Sequence, residues 1–279
     1  MVDNGANTSV AQDAAALAKL LKPGVNVVFF GGAGVSTESG IPDFRSEAGL
    51  YAAKSVYGYP PEELLSSWML TEQPKLFWQY VKDNLIHTDA KPNAAHLALA
   101  DLEKRGIVTA VITQNIDDLH QEAGSHKVLE LHGSLARNYC VKCGARYPLT
   151  YVLDEKNCPD GIVPICAKPI TDPSSSNAQL SQDKGKRKCG GMVRPDVVLY
   201  GEPLDEQVMR AAAIAIAHAD VLIVAGTSLA VYPAAGLVQY FGGDSLVLIN
   251  KTATPLDNHA DLVIHQPVGE VLELATQSA

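Results

Sequence analysis

The run from Asn26 to Arg45, NVVFFGGAGVSTESGIPDFR, constrains this chain more than any other stretch. Val27 to Phe30 is a short block of β-branched and aromatic residues, the pattern of a buried strand in an α/β sheet. Gly31, Gly32, Ala33 and Gly34 follow at once, and three of the four lack a Cβ. Glycine lets backbone N–H groups come close to a ligand and permits positive φ. Ser36, Thr37 and Ser39 are small hydroxyl residues suited to capping a helix start. A strand, a glycine turn and a helix N-terminus in that order make an anion site of the kind that holds a dinucleotide pyrophosphate. The glycines alone fit a tight strand-to-helix turn equally well, because Thr37 stands where G-x-G-x-x-G has its third glycine. The following SGIPDFR adds an aromatic face, Phe44, and a guanidinium, Arg45, next to the expected phosphate site.

The rest of the chain repeats this plan. Val108–Thr113, Val128–Leu131, Val221–Ala225, Leu246–Ile249 and Leu262–Ile264 read as strands. The polar or glycine clusters GGAG, QNID, HG, GTS and NK each end a strand. In open parallel sheets, ligands lie beyond the carboxyl ends of the strands, so clusters in this register converge on one crevice. Helices are expected over Val10–Leu21, Glu62–Trp68, Pro74–Leu85, Ala94–Lys104, Asp205–His218 and Glu270–Ala275 from their three- and four-residue apolar spacing. The fold class expected is α/β, a Rossmann-like doubly wound parallel sheet with a smaller zinc-binding and helical domain inserted. Its boundaries are 9–45, 94–136 and 195–279 for the sheet domain, 46–93 for a helical module and 137–194 for a zinc module.

A net charge of −9 opposes direct nucleic-acid binding, which needs a basic face, and suits lysine-bearing protein partners. No apolar run reaches the ~18 residues of a membrane span. The N-terminus lacks a basic start and a long apolar region, so a cytoplasmic protein is expected. Five cysteines in a reducing compartment favour metal ligation with one spare thiol over disulfides. Cys140-Val-Lys-Cys143-Gly has the form of a zinc knuckle, and Cys189-Gly-Gly looks like half of another. The partner of Cys189 is Cys158 or Cys166. The segment 167–188 is rich in Ser, Lys, Asp and Pro and reads as a disordered surface insertion.

GAGVSTESGIPDFR closely resembles the signature of the sirtuins, NAD-dependent protein deacylases, and of their bacterial, deacetylase-like members. TQNIDDLH (113–120), ELHGS (130–134), GTSLAVYPAA (226–235) and the cysteine pattern do the same, in order, from about Asn26 to Ala275. The resemblance implies NAD as co-substrate and one structural Zn²⁺. Setting the insertion aside brings VPIC next to CGGMVRP, which selects Cys166 as third ligand beside Cys140, Cys143 and Cys189. Four thiolates close a tetrahedral site, so the metal is structural and not catalytic.

Cleaving a nicotinamide–ribose bond requires a buried, oriented nicotinamide. Asp117 is suited to accept the carboxamide N–H, Ile116 to supply an apolar wall, and Gln114 and Asn115 to bind ribose hydroxyls or an ordered water. Asp117 and Asp118 suit capping the next helix equally well. His132, at a strand end in a polar cluster, suits the base that deprotonates a ribose hydroxyl. The resemblance gives His132, Asn115 and Asp117 the catalytic positions. It also implies NAD contacts at Gly32, Ala33, Gly34, Thr37, Phe44, Arg45, Gln114, Ile116, Gly226, Thr227, Ser228, Asn250, Lys251 and Val268. Phe44 would shield the sugar face after nicotinamide leaves. An acyl-lysine peptide would lie between Val197-Val198-Leu199-Tyr200-Gly201 and Leu229 with Val231, adding as a strand. Sirtuins that prefer acidic acyl groups carry Y-x-x-R in the helical module, whereas here Tyr51-Ala-Ala-Lys54 lacks the arginine, which implies an acetyl or longer uncharged acyl group. The alternatives are a protein mono-ADP-ribosyltransferase and an NAD or ADP-ribose sensor with little turnover.

Overall fold

A computed structural model describes residues 9–42, 54–169 and 188–279. Phe44, Arg45, Tyr51 and residues 170–187 of the expected insertion lie outside the described residues. The chain forms two compact units: one from Met1–Val56, His87–Gly133 and Pro203–Ala279, the other from Tyr57–Ile86 and Ser134–Glu202.

The first unit holds a six-stranded parallel sheet of β1 (Val27–Gly31), β2 (Val108–Thr113), β3 (Val128–Glu130), β7 (Val221–Ala225), β8 (Ser245–Ile249) and β9 (Leu262–Ile264), while β4 (Gly133–Cys140), β5 (Arg146–Pro148) and β6 (Val193–Val197) make a three-stranded sheet. The large sheet runs β3-β2-β1-β7-β8-β9, so the strand order reverses between β1 and β7. Both neighbours of β1 are parallel to it, with Phe29 opposite Val111 on one side and Ile223 on the other.

Every residue of β1 is buried, and alternation sorts them to two faces. Val27 and Phe29 join helices Val10–Ala18, Ala94–Lys104 and Val268–Ser278 in one core. Val28 and Phe30 join helix Glu206–Ala217 and the 3₁₀ segment Ala234–Tyr240 in the other. A strand covered on both faces reads as one continuous apolar run, which is why VVFF shows no polar alternation. Among the described residues, no helix is long and apolar enough to cross a membrane.

Two expectations are corrected. The helix expected over Glu62–Trp68 is two helices, Pro61–Leu64 and Ser67–Glu72. The break has a cause: Ser66 Oγ accepts from Met69 N at 3.1 Å and so caps the second helix. Leu65 O and Ser67 N also bond Tyr200, which takes them out of a continuous helical ladder. Second, no helix starts at Ser36. Two three-residue 3₁₀ turns, Ala33–Val35 and Thr37–Ser39, follow β1, and no side chain caps them.

In the first unit, His96 and His120 are both buried, with ring centroids 4.7 Å apart and the His120 ring edge-on to Phe29. Burial holds His96 down to about 4, the Asp117 charge opposing it only in part, and holds His120 down to about 3, with His96 adding to the effect. Both rings are therefore neutral when folded and titrate near 6.5 when unfolded. The folded state binds fewer protons than the unfolded chain below pH 6.5, so the pair's stabilisation is complete above that value and is lost as pH falls toward 4. Urea unfolding should show roughly 2 to 4 kcal/mol less stability at pH 5 than at pH 7 from this pair. The His120→Leu variant should show a loss smaller by about half that amount; an identical pH dependence in both proteins would remove the pair as its source.

Candidate functional site

The site is built on the loops after β1, β2, β3 and β7, at the carboxyl edge beside the strand-order reversal. The loops after β1 and β7 are joined by backbone hydrogen bonds. Gly34 N donates to Gly226 O at 2.8 Å, and Gly32 N donates to Ala225 O at 3.1 Å. A Cβ on Gly34 would lie 2.7 Å from Gly226 Cα, and one on Gly32 would lie 2.8 Å from Thr227 Cβ. The glycines thus serve the contact between two loops, a requirement in addition to any ligand approach.

Ser36 takes the place that the expected helix cap would have had. It is fully buried; its hydroxyl donates to Asp117 Oδ2 at 2.6 Å and accepts from Asn115 Nδ2 at 2.9 Å. One serine therefore orients both polar side chains of the loop after β2. The other Asp117 oxygen accepts from Leu119 N at 3.1 Å, so Asp117 also caps the next short helix. A carboxylate has about four acceptor positions, and these bonds leave each oxygen room for one more donor. Ser36 and Glu38, which accepts from Gly269 N at 3.1 Å, were not among the expected site residues. The only trace of Ser36 in the sequence is a hydroxyl in a hydroxyl-rich turn.

Gln114 links three loops: its N bonds Gly31 O at 3.0 Å, its Nε2 donates to Thr227 Oγ1 at 3.0 Å, and its carbonyl lies 2.9 Å from His132 Nδ1. A carbonyl oxygen only accepts, so Nδ1 carries the proton and the neutral ring has its basic lone pair at Nε2. Ile116 and His132 are half-buried. Thr227 also accepts from Leu229 N at 3.2 Å, and Leu229 sits at a left-handed φ of 53°. Ser228 and Lys251 are exposed, Val231 is half-buried, and Val268 is the buried first residue of the last helix. Asn250, after β8, bonds Ile264 O through its N at 3.0 Å. The structure thus brings Gly32, Gly34, Gln114, Asn115, Asp117, His132, Gly226 and Thr227 into one connected set with Ser36. Ala33 and Thr37 flank it on the 3₁₀ turns, where Thr37 Oγ1 donates to Gly34 O at 3.0 Å. Val197 to Gly201 belong to the other unit, at the end of β6.

The second unit also holds the cysteine cluster. The sulfurs of Cys140, Cys143, Cys166 and Cys189 all lie within 4.8 Å of one another, with Cys140–Cys189 at 3.7 Å and Cys143–Cys166 at 3.6 Å. Zn–S bonds of ~2.3 Å in a tetrahedron put sulfurs ~3.8 Å apart, so the set fits Zn²⁺. Gly191 is part of the cradle: a Cβ there would lie 2.7 Å from Cys140 Sγ. The Ala145 N–H is the main cause that pulls the exposed Cys143 thiol down to about 7, which favours the ligating thiolate. Cys158 is outside the cluster, with its Sγ 3.5 Å from Lys82 Nζ.

Comparison with known proteins places the chain in a family. The Sir2 family model matches residues 32–233. An NAD-dependent protein deacetylase of Clostridium acetobutylicum is 49% identical over 257 residues, covering 92% of this chain and 95% of the relative. That of Clostridium perfringens is 50% identical over 257 residues, with the same 92% and 95% coverage. A solved Sir2 structure with a p53 peptide and NAD⁺ has a TM-score of 0.75 at 36% identity, covering 93% of this chain and 95% of the other. Another, Sir2 bound to acetylated peptide, has a TM-score of 0.73 at 34% identity, with 93% and 95% coverage.

Elemental analysis should find about one zinc per chain in the wild type and in Cys158→Ser, and markedly less in Cys166→Ser. Full zinc in Cys166→Ser with loss in Cys158→Ser would reverse the assignment.

Proposed function

This chain belongs to the Sir2 family, and from that we propose that it is an NAD-dependent protein lysine deacetylase. One observation carries the reading: the Gln114–Asp117 loop orients a carboxylate through Ser36 and an imidazole through its own carbonyl. We assign Asp117 to the nicotinamide carboxamide N–H, which its remaining lone pairs are suited to accept. Ile116 is the apolar wall that keeps water from the leaving group. Asn115, fixed by Ser36, and Gln114, fixed by Thr227, present polar atoms for ribose hydroxyls or an ordered water.

NAD, when bound, supplies a ribose carbon that becomes electrophilic as nicotinamide departs, and the acyl oxygen of the substrate lysine attacks there. His132 Nε2 takes the proton of a ribose hydroxyl, and the Gln114 carbonyl steadies the ring as it becomes cationic. Phe44 and Arg45 remain assigned to the cofactor on the family motif, as do Ala33, Thr37, Ser228, Asn250, Lys251 and Val268. One water is consumed in breaking the acyl–nitrogen bond, so the products are deacylated lysine, nicotinamide and O-acyl-ADP-ribose. The substrate is a protein or peptide bearing acyl-lysine, to which Val197–Gly201, Leu229 and Val231 remain assigned on the family motif. Cys140, Cys143, Cys166 and Cys189 would hold Zn²⁺ as structure, since four thiolates close its coordination. We place the protein in the cytoplasm, where five thiols stay reduced.

The test is nicotinamide release from NAD with and without an acetyl-lysine peptide. Release should require the peptide and match acetyl loss. His132→Ala should lose on the order of 10²–10⁴-fold in kcat with zinc content unchanged. Ser36→Ala, which frees both Asp117 and Asn115, should lose about tenfold or more. Transfer of adenylate label to protein without deacetylation would favour ADP-ribosyl transfer, and cofactor binding without release would favour a sensor.

A further inference from the structure

The turn that carries Ser36 is held by a side chain that the chemistry above does not use. Asn93 stands at the start of helix Ala94–Lys104, 54 residues after Ser39 in the chain. Its Nδ2 donates to Val35 O at 2.8 Å and to Ser39 Oγ at 3.0 Å. Its Oδ1 accepts from Ala95 N at 2.9 Å and so caps the helix. Val35 O can only accept and Ala95 N can only donate, so these partners fix which way the amide points. Asn93 is held in turn by His96, whose Nδ1 accepts from Asn93 N at 3.2 Å. That bond needs Nδ1 unprotonated, and burial keeps the His96 ring neutral.

The two Nδ2 bonds bracket Ser36. One takes the carbonyl of the residue before it, and the other takes a hydroxyl three residues after it. The remaining bonds of Ser36's own backbone are local: its N donates to Ala33 O at 3.0 Å, and its O accepts from Ser39 N at 3.0 Å and Ile41 N at 3.3 Å. Short 3₁₀ turns have poor hydrogen-bond geometry and hold their shape weakly by themselves. The helix behind Asn93 does not share that weakness. Its Ala95, Ala98, Leu99 and Leu102 are buried in the same core as Phe29 of β1. Asn93 therefore carries the position of a packed helix to the turn.

We propose that Asn93 is a positioning residue for the reaction: by bonding on both sides of Ser36 it fixes the direction in which the Ser36 hydroxyl meets Asp117 and Asn115. The proposal rests on the deacetylase reading, in which Asp117 receives the nicotinamide carboxamide. Asn93 touches neither Asp117 nor Asn115 in the hydrogen-bond network; its effect passes through the 2.6 Å and 2.9 Å bonds of Ser36. Without the two amide donors, the turn is free to rotate the hydroxyl away from one of its partners.

Two variants separate this role from helix capping. Asn93→Ser keeps a capping hydroxyl but is too short to reach Val35, and Asn93→Asp keeps the cap and the shape while losing both donors. Both should fold, and both should lose about fivefold in peptide-dependent nicotinamide release. A residue that served only as a cap would tolerate Asp without loss. Because Asn93 acts through Ser36, Asn93→Ser combined with Ser36→Ala should be no more impaired than Ser36→Ala by itself; losses that multiply would overturn the proposal. Nicotinamide titrated into the full chain saturated with ADP-ribose reads the Asp117 side without turnover. Its affinity should fall severalfold in Asn93→Ser. Wild-type activity and wild-type nicotinamide affinity in the folded variants would also remove Asn93 from this role. A fall in nicotinamide affinity in variants of a chain that releases no nicotinamide from NAD and peptide would leave the role standing and sink the deacetylase reading alone.

Discussion

The structure depends on β1 being paired in parallel on both edges and covered on both faces. A central parallel strand directs its following loop to the same edge as the loops of its neighbours, so the chain ends after β1, β2 and β7 meet without further instruction. The reversal of strand order between β1 and β7 opens the crevice there, because successive crossovers leave in opposite directions. The backbone contact of Gly34 with Gly226 then sets how closely those two loops approach. Any Cβ in that contact would push the β1 loop away from β7, and with it Ser36, which orients Asp117 and Asn115. The geometry of the candidate chemistry thus descends from a packing limit two residues away.

Ser36 shows why a short hydroxyl in such a turn has two competing fates. As a helix cap it would satisfy backbone N–H groups nearby in sequence. Here it is fully buried, and its partners are 79 and 81 residues distant. Burial decides between them: a hydroxyl removed from water must bond, and the carboxylate and amide of the loop after β2 are stronger partners than a strained 3₁₀ backbone. Burial likewise keeps His96 neutral against the pull of the Asp117 charge, so Asp117 keeps the partners that the loop gives it.

Much of this was legible along the chain, and the reasons are local. Val108–Thr113 and Val221–Ala225 are strands as read, since an apolar run of five or six residues bounded by polar clusters leaves little choice. The cysteines are grouped as C-x-x-C-G spacing and the removal of 167–188 suggest, with Cys166 in the cluster and Cys158 beside Lys82. The helix over Glu62–Trp68 was misread because its periodicity runs straight through Ser66, and the break comes from bonds to Tyr200, which is far off in sequence. The bonds of Ser36 to Asp117 and Asn115 were invisible for a related reason. A residue type says that a side chain needs a partner; only the fold says which partner it finds.

The two units face different physical problems. The first holds reacting groups on a sheet with large cores on both faces, so its loops are anchored by burial. The second joins a three-stranded sheet, with strands as short as three residues, to helices whose Leu64, Met69, Phe77 and Trp78 are fully buried. Metal ligation and charge add to that core. Structural zinc contributes on the order of 10–16 kcal/mol in small domains, enough to fix the turns that carry Cys140, Cys143, Cys166 and Cys189. The Arg194–Glu202 pair is a weaker device for net stability, since desolvation offsets much of its attraction, but a bidentate fork is strongly directional. Here the fork of Arg194 meets both oxygens of Glu202, and the pair also binds the Val197 carbonyl and the Leu199 amide, so charge fixes the turn of the backbone after β6 where apolar contacts alone would leave it a choice of conformations.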